Sequence, residues 1–192
     1  MCLCAPFLTE NLAYCLKGGI TMKVIFDTET TGTNARYDDI LQLSIIDGDG
    51  NTLFNDYFRP VHRKAWPDAQ RVNHISPEMV ASKPTFKARR KEIQQIFDKA
   101  DELIAYNAQF DMGFLRAAGI RFHRNVPVSD PMLDFAEIYG DWNEYYGNYR
   151  WQRLTTAAAY YGYKYDAHDA LEDVKATLFV YNQIKAGAPK AD

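Results

Sequence analysis

Cysteine is nearly missing from this chain of 192 residues: Cys2, Cys4 and Cys15 are all it has, and nothing after them carries a thiol. That distribution excludes a disulfide framework, and Cys2-Leu3-Cys4 lacks the spacing of a zinc knuckle. The reducing cytoplasm is the simplest setting. No apolar run approaches the roughly 20 residues that a membrane span needs. A basic excess is missing too, since the formal net charge is -3. This argues against a general polyanion binder. It leaves room for a nucleic-acid enzyme, because bound divalent metals and a local basic patch supply a positive field of their own. No internal repeat, low-complexity tract or dividing linker interrupts Met22 to Ala186. What is present is ordinary for a globular chain: 47% apolar and 24% charged residues, and enough length for one domain with a core.

Residues 1–21 read as an extension outside the domain. They lack a basic segment followed by a continuous apolar stretch, so they do not read as a signal peptide. Lys17-Gly18-Gly19 is what a purine-rich ribosome-binding site would encode if translated, which makes Met22 the expected native start. The domain then runs over 22–186, and 187–192 form a tail expected to fray.

Within the domain, Lys23 to Phe26 reads as a buried strand leading into Asp27. Ile40 to Ile46 and Thr52 to Phe58 follow as strands, with the turn cluster Asp47 to Asn51 between them. Pro60 to Pro67 reads as irregular. A short helix is expected at Ser76-Pro77-Glu78, and an amphipathic one over Thr85 to Ala100. Leu103 to Tyr106 is a fourth strand, followed by a helix that Asn107 caps and Gly119 ends. Val126 to Ser129 is a fifth strand, and Pro131 to Tyr139, Arg153 to Tyr161 and Asp169 to Lys185 are further helices. Three antiparallel strands followed by alternating strands and helices predict an α/β fold, a mixed sheet with helices on both faces.

Three segments carry chemistry. Asp27 and Glu29 stand two apart at a strand end, and a strand turns such residues to one face. Adjacent carboxylates repel unless one is protonated or a cation lies between them. Asp111 falls in the first turn of a helix that opens at the carboxyl edge of the sheet, where α/β sites form. Asp169 and Glu172 have capping-box spacing, which puts His168 just before the cap and Asp173 in the first turn. Taken singly, each segment also reads as a solvated strand end, helix turn or cap.

In order, Asp27-Thr28-Glu29-Thr30-Thr31-Gly32, Asn107-Ala108-Gln109-Phe110-Asp111 and His168-x-Ala170-x-x-Asp173 resemble the DEDDh group of DnaQ-like 3′–5′ exonucleases, in the RNase H-like superfamily. Val72 to Ser76 is similar to a further short family segment. The likeness covers about Met22 to Ala186 and implies an RNase H-like sheet of five strands. Position 169 is Asp, not Tyr, so the histidine class fits. Gln42 departs from the acid common on the second strand, Asn73-His74 from a His-Gly pair, and Tyr106 from a histidine. The resemblance implies two divalent ions, Mg²⁺ with Mn²⁺ as substitute, which hard carboxylate ligands favour over zinc. It assigns one ion to Asp27, Glu29 and Asp173 and a second to Asp27 and Asp111, with His168 as general base. Thr30, Thr31, Asn107 and Phe110 are implied substrate contacts, Phe110 being open to a core role as well.

Two further features leave readings open. Lys87, Arg89, Arg90 and Lys91 are a solvated helix face or a phosphate track. Asp141 to Trp151 is aromatic yet holds no aliphatic residue, which suits base stacking, a core cap or a partner surface. His62, His74 and His123 read as structural or loop histidines. The leading expectation is an exonuclease releasing nucleoside 5′-monophosphates from 3′ ends of single-stranded DNA. An RNA-trimming enzyme of the RNase T or oligoribonuclease kind shares the same motifs, since sugar choice rests on contacts to the 2′-OH. A non-catalytic nucleic-acid or polymerase-binding module is the third reading, against which the intact acid set argues. A DNA polymerase in trans is a partner compatible with all three.

Overall fold

The computed structural model describes residues 21–165 and 169–191. The extension over 1–20, His168 and Asp192 lie outside the described residues. The described chain builds one sheet of five strands in the order β3-β2-β1-β4-β5. These are β1 (Lys23–Thr30), β2 (Ile40–Asp47), β3 (Thr52–Tyr57), β4 (Glu102–Ile104) and β5 (Val128–Ser129). β1 pairs antiparallel with β2 and parallel with β4, β2 pairs antiparallel with β3, and β4 pairs parallel with β5. This is the mixed sheet that the order of strand and helix signals predicts, and the RNase H-like sheet of five strands that the resemblance implies.

β1 lies at the centre because it is apolar on both faces. Val24 and Phe26 enter the larger core with Phe97 of α3 (Phe86–Phe97) and Met112 and Leu115 of α4 (Ala108–Ala117). Ile25 enters the opposite core with Val174, Leu178 and Tyr181 of α7 (Ala170–Ala186). The strand runs four residues beyond its apolar stretch, because β2 pairs with it as far as Thr30↔Ile40. A register shift between Glu29 and Thr30 marks that end. Such bulges re-aim side chains at the rims of sheets.

Two elements went unread in the sequence. Helix α1 (Pro67–Asn73) begins at the end of the irregular stretch Pro60 to Pro67 and runs through residues given no element, and Asp141 to Trp151 contains a hairpin of β6 (Trp142–Asn143) and β7 (Asn148–Tyr149). Helix α2 (Pro77–Val80) starts at Ser76 as expected, its hydroxyl accepting from the Met79 N–H. Helices α5 (Pro131–Tyr139) and α6 (Leu154–Tyr160) pack around Phe135 and Ala157 with Val180 of α7. Beyond α7 the chain runs back over α6, where the Ala191 N–H donates to the Tyr160 carbonyl at 2.9 Å. No helix among the described residues is long and apolar enough to cross a membrane.

Candidate active site

The acids converge at the end of β1 because strand and helix periods place them there. Asp27 and Glu29 continue the face of Ile25, the face covered by α7. Helix α7 begins beside them. The Asp169 carboxylate caps it, accepting from the N–H groups of Leu171 and Glu172 at 2.9 and 3.3 Å. Four residues on, Asp173 comes within reach of β1. One carboxylate oxygen from each of Asp27, Glu29 and Asp173 lies within 4.8 Å of the others. The expected return contact of a capping box is replaced: the Glu172 carboxylate accepts from the Lys175 ammonium at 2.8 Å.

Asp111 approaches from the other face of the sheet. It is 2% exposed, and its Oδ1 accepts from the Thr28 N–H at 2.9 Å and the Thr28 hydroxyl at 2.7 Å. Thr28 therefore separates two acids along β1 and holds a third across the sheet. Sequence reasoning passed over this residue, although alternation along a strand points its side chain toward α4.

Asn107 does not cap α4 with its side chain. It takes the left-handed conformation (φ 68°, ψ 51°), and the cap comes from Asp130. That carboxylate accepts from the N–H groups of Asn107 and Ala108 at 3.0 and 2.9 Å, and from Met132 at 3.1 Å. One side chain thus caps α4 and α5 together. No local spacing could have found it, since it lies 23 residues from Asn107. Asn73, the last residue of α1, is the third missed position. Its amide donates to the Thr30 carbonyl at 3.1 Å, and its hydrogen bonding also lowers the Glu29 pKa.

The cluster resists carrying its full charge. Burial is the first cause for Asp27, Glu29 and Asp111, and neighbouring carboxylates add to it. Asp27 is raised well above the ordinary carboxylate range by burial and by Asp111, Glu29 and Asp173. Burial and Asp173 push Glu29 up to about 8, against the Asn73 hydrogen bond. Burial pushes Asp111 up to about 7, against the two bonds from Thr28. Such a group of oxygens is relieved by protons or by a hard cation, and an all-oxygen donor set suits a divalent ion of the Mg²⁺ class. Gln42 stands opposite Glu29 in the β1–β2 register and is 1% exposed. Its neutral amide spares the cluster a further charge.

All four acids line one open cleft of about 800 Å³, which Asn107, Phe110, Trp151 and Arg153 share. A second cleft of about 610 Å³ joins it at Glu29, Val72 and Phe110 and reaches Thr30 and Thr31. Phe110 lines both clefts and packs on the core with Phe114 at 5.0 Å, as its core reading expects. The hydroxyls of Thr30 and Thr31 are engaged in shaping their loop: Thr30 donates to the Gly32 carbonyl, and Thr31 accepts from the Asp39 N–H. A Cβ at Gly32 would meet the Asp38 carboxylate at 2.5 Å, so a larger residue there would displace that side chain. Of the basic run on α3, Arg89 is paired with Asp56 and Glu92, and Arg90 and Lys91 line a separate groove with Arg116 and Arg121.

The exonuclease family model, of RNase T type, matches residues 24–181. This chain belongs to that family. It is a DnaQ-like 3′–5′ exonuclease domain, as the ordered motifs imply. Among curated relatives it is similar to the DNA polymerase III epsilon subunit of Treponema pallidum, 32% identical over 111 residues, which cover 57% of this chain and 51% of the relative. It is also similar to the PolC-type DNA polymerase III of Staphylococcus haemolyticus, 28% identical over 162 residues, which cover 82% of this chain and 11% of that protein. The chain thus spans about half or less of these relatives. Its fold matches Escherichia coli exonuclease I, solved in a zinc-bound form with single-stranded DNA, with a TM-score of 0.70 and 22% identity over 88% of this chain and 41% of that one. Exonuclease I of Methylocaldum szegediense aligns with a TM-score of 0.68 and 24% identity over 87% of this chain and 41% of the other.

Proposed function

We propose that this chain hydrolyses the terminal phosphodiester at 3′ ends of single-stranded DNA and releases nucleoside 5′-monophosphates. The observation that carries the reading is the convergence of Asp27, Glu29 and Asp173 within 4.8 Å in a cleft that Asp111 and the exposed Trp151 also line. The polymerase subunit relatives support DNA over RNA as the substrate.

The resident ions in this reading are Mg²⁺, with Mn²⁺ as substitute. Asp27, Glu29 and Asp173 would hold one, and Asp27 with Asp111 the second. When bound, such a pair neutralises charge on the phosphate and on the attacking and leaving oxygens. The chain supplies the rest. Water attacks phosphorus in line with the leaving 3′ oxygen, and His168 takes the water proton, as an imidazole of ordinary pKa near 6.5 can do near neutral pH. The departing 3′ oxygen takes a proton from solvent. The Thr30 and Thr31 backbone, Asn107 and Phe110 orient the last nucleotide, and Phe110 already stands where the two clefts join. Thr28 fixes the Asp111 carboxylate, and Asn73 fixes the end of β1. The domain of this activity is residues 22–186, with 1–21 outside it, and the setting we propose is cytoplasmic, beside a polymerase acting in trans.

The test is degradation of 5′-labelled DNA and RNA of equal sequence in Mg²⁺, Mn²⁺ or EDTA. A ladder shortening from the 3′ end, faster on DNA and lost in EDTA, is expected. Cleavage of RNA alone would reassign the substrate, and no cleavage of either by folded protein would overturn the reading.

A further inference from the structure

The hairpin between α5 and α6 displays aromatic rings that the core does not use. Tyr145 is 87% exposed, Tyr146 71%, Trp151 63% and Trp142 50%. The display is rigidly built. Trp142 pairs with Tyr149 and Asn143 with Asn148. The Asn143 side chain accepts from the N–H groups of Tyr145 and Tyr146 at 3.1 and 3.3 Å. The Arg150 N–H donates to the Asp141 carbonyl at 2.8 Å, and the two side chains form an ion pair at 3.2 Å. An isolated pair of two-residue strands is marginal in water, so these clasps are what keep the rings out. The base of the hairpin is fastened to the catalytic cleft: the Tyr106 hydroxyl donates to the Gln152 carbonyl at 2.9 Å, and Trp151 and Arg153 line the cleft with the acids.

From this we propose that the hairpin is a stacking platform for unpaired bases upstream of the 3′ end, so that the enzyme's substrate is a single strand of several nucleotides. The proposal rests on the exonuclease reading and deepens it. The absence of any aliphatic side chain from Asp141 to Trp151 argues for flat, polar-edged bases rather than an apolar protein face. Bases offer their faces only when unpaired, and stacking on aromatic rings is indifferent to sequence. Arg153, which lines the cleft with the acids, adds a cation where the strand would leave them. Trp151 and Tyr146 are separated by at most roughly 17 Å of extended chain. That leaves room for no more than about five stacked nucleotides between them.

The experiment compares wild type, Tyr145→Ala/Tyr146→Ala and Tyr145→Phe/Tyr146→Phe. Oligodeoxynucleotides of fifteen and three nucleotides serve as substrates in Mg²⁺. Fifteen-mers with 2-aminopurine four or five positions from the 3′ end report stacking by fluorescence in Ca²⁺. Wild type and the phenylalanine variant quench the probe, because the ring is retained; the alanine variant does not. The KM advantage of the fifteen-mer over the three-mer falls about tenfold in the alanine variant, the size of one lost base stack. Quenching that persists in the alanine variant, or that wild type never shows, overturns the platform. Failure of wild type to cleave either oligonucleotide counts against the exonuclease reading instead, and the fluorescence still decides the hairpin.

Discussion

Thr28 stands between two acids and works for a third. Its hydroxyl and its N–H both donate to Asp111, so the middle residue of Asp27-Thr28-Glu29 ties the two faces of the sheet together at the cleft. Thr28→Val keeps the shape and the β-branch while removing the hydroxyl. We expect kcat/KM to fall about 10- to 100-fold, the usual cost of losing a partner that orients a metal ligand. Thr28→Ser should restore most of it; equal loss in both variants would contradict the role. The acids themselves make a second prediction. In the folded chain Glu29 titrates at about 8 rather than 4.5, and Asp111 at about 7 rather than 3.8. Between those limits the folded state holds more protons than the unfolded one, so metal-free stability falls as pH rises from about 4 to about 8. Below that window both states are protonated and the effect vanishes. Urea midpoints in EDTA should drop from pH 5 to pH 8, and Mg²⁺ should flatten the slope; a midpoint that rises with pH in EDTA would be the contrary result. Asp27, Glu29 and Asp173 were legible because strand alternation and helix capping are local rules. Thr28, Asp130 and Asn73 act on groups 83, 23 and 43 residues away, which no local rule reaches.

Among the elements, α4 shows how capping moved off the chain segment that it serves. Asn107 supplies the left-handed conformation that asparagine tolerates, and Asp130 supplies the acceptor. Asp130→Ala removes the acceptor for three N–H groups in two helices. A loss of about 2 kcal/mol in chemical denaturation is expected, the upper end for a single cap. Asn107→Gly keeps the conformation and should cost little stability. A reversed ranking would show that the asparagine side chain holds the helix after all. The long helices and β1 to β3 were readable from apolar period and turn clusters. Helix α1 has seven residues with little periodicity, and each hairpin strand has two residues, too few for alternation to register.

At the level of the whole molecule, the order of strand and helix signals was enough for the mixed sheet, because short connections leave few ways to lay such elements together. Function follows from where that sheet stops. β1 carries two acids beyond its apolar stretch, α7 starts beside it with Asp173, and α4 crosses from behind with Asp111. An overall charge of -3 is no obstacle to a nucleic-acid substrate if bound cations offset the carboxylates. DNA binding should then weaken sharply in EDTA, which filter binding reads directly.

The most direct measurement is single-turnover cleavage of a 5′-labelled DNA single strand in Mg²⁺ by wild type, Asp27→Ala and His168→Ala, with folding of each checked by circular dichroism. We expect a 3′-end ladder for wild type and rates lower by about 10²- to 10⁴-fold for His168→Ala, the span of general-base catalysis. Asp27→Ala should fall at least as far. Folded variants that cleave at the wild-type rate would place the chemistry elsewhere and contradict it.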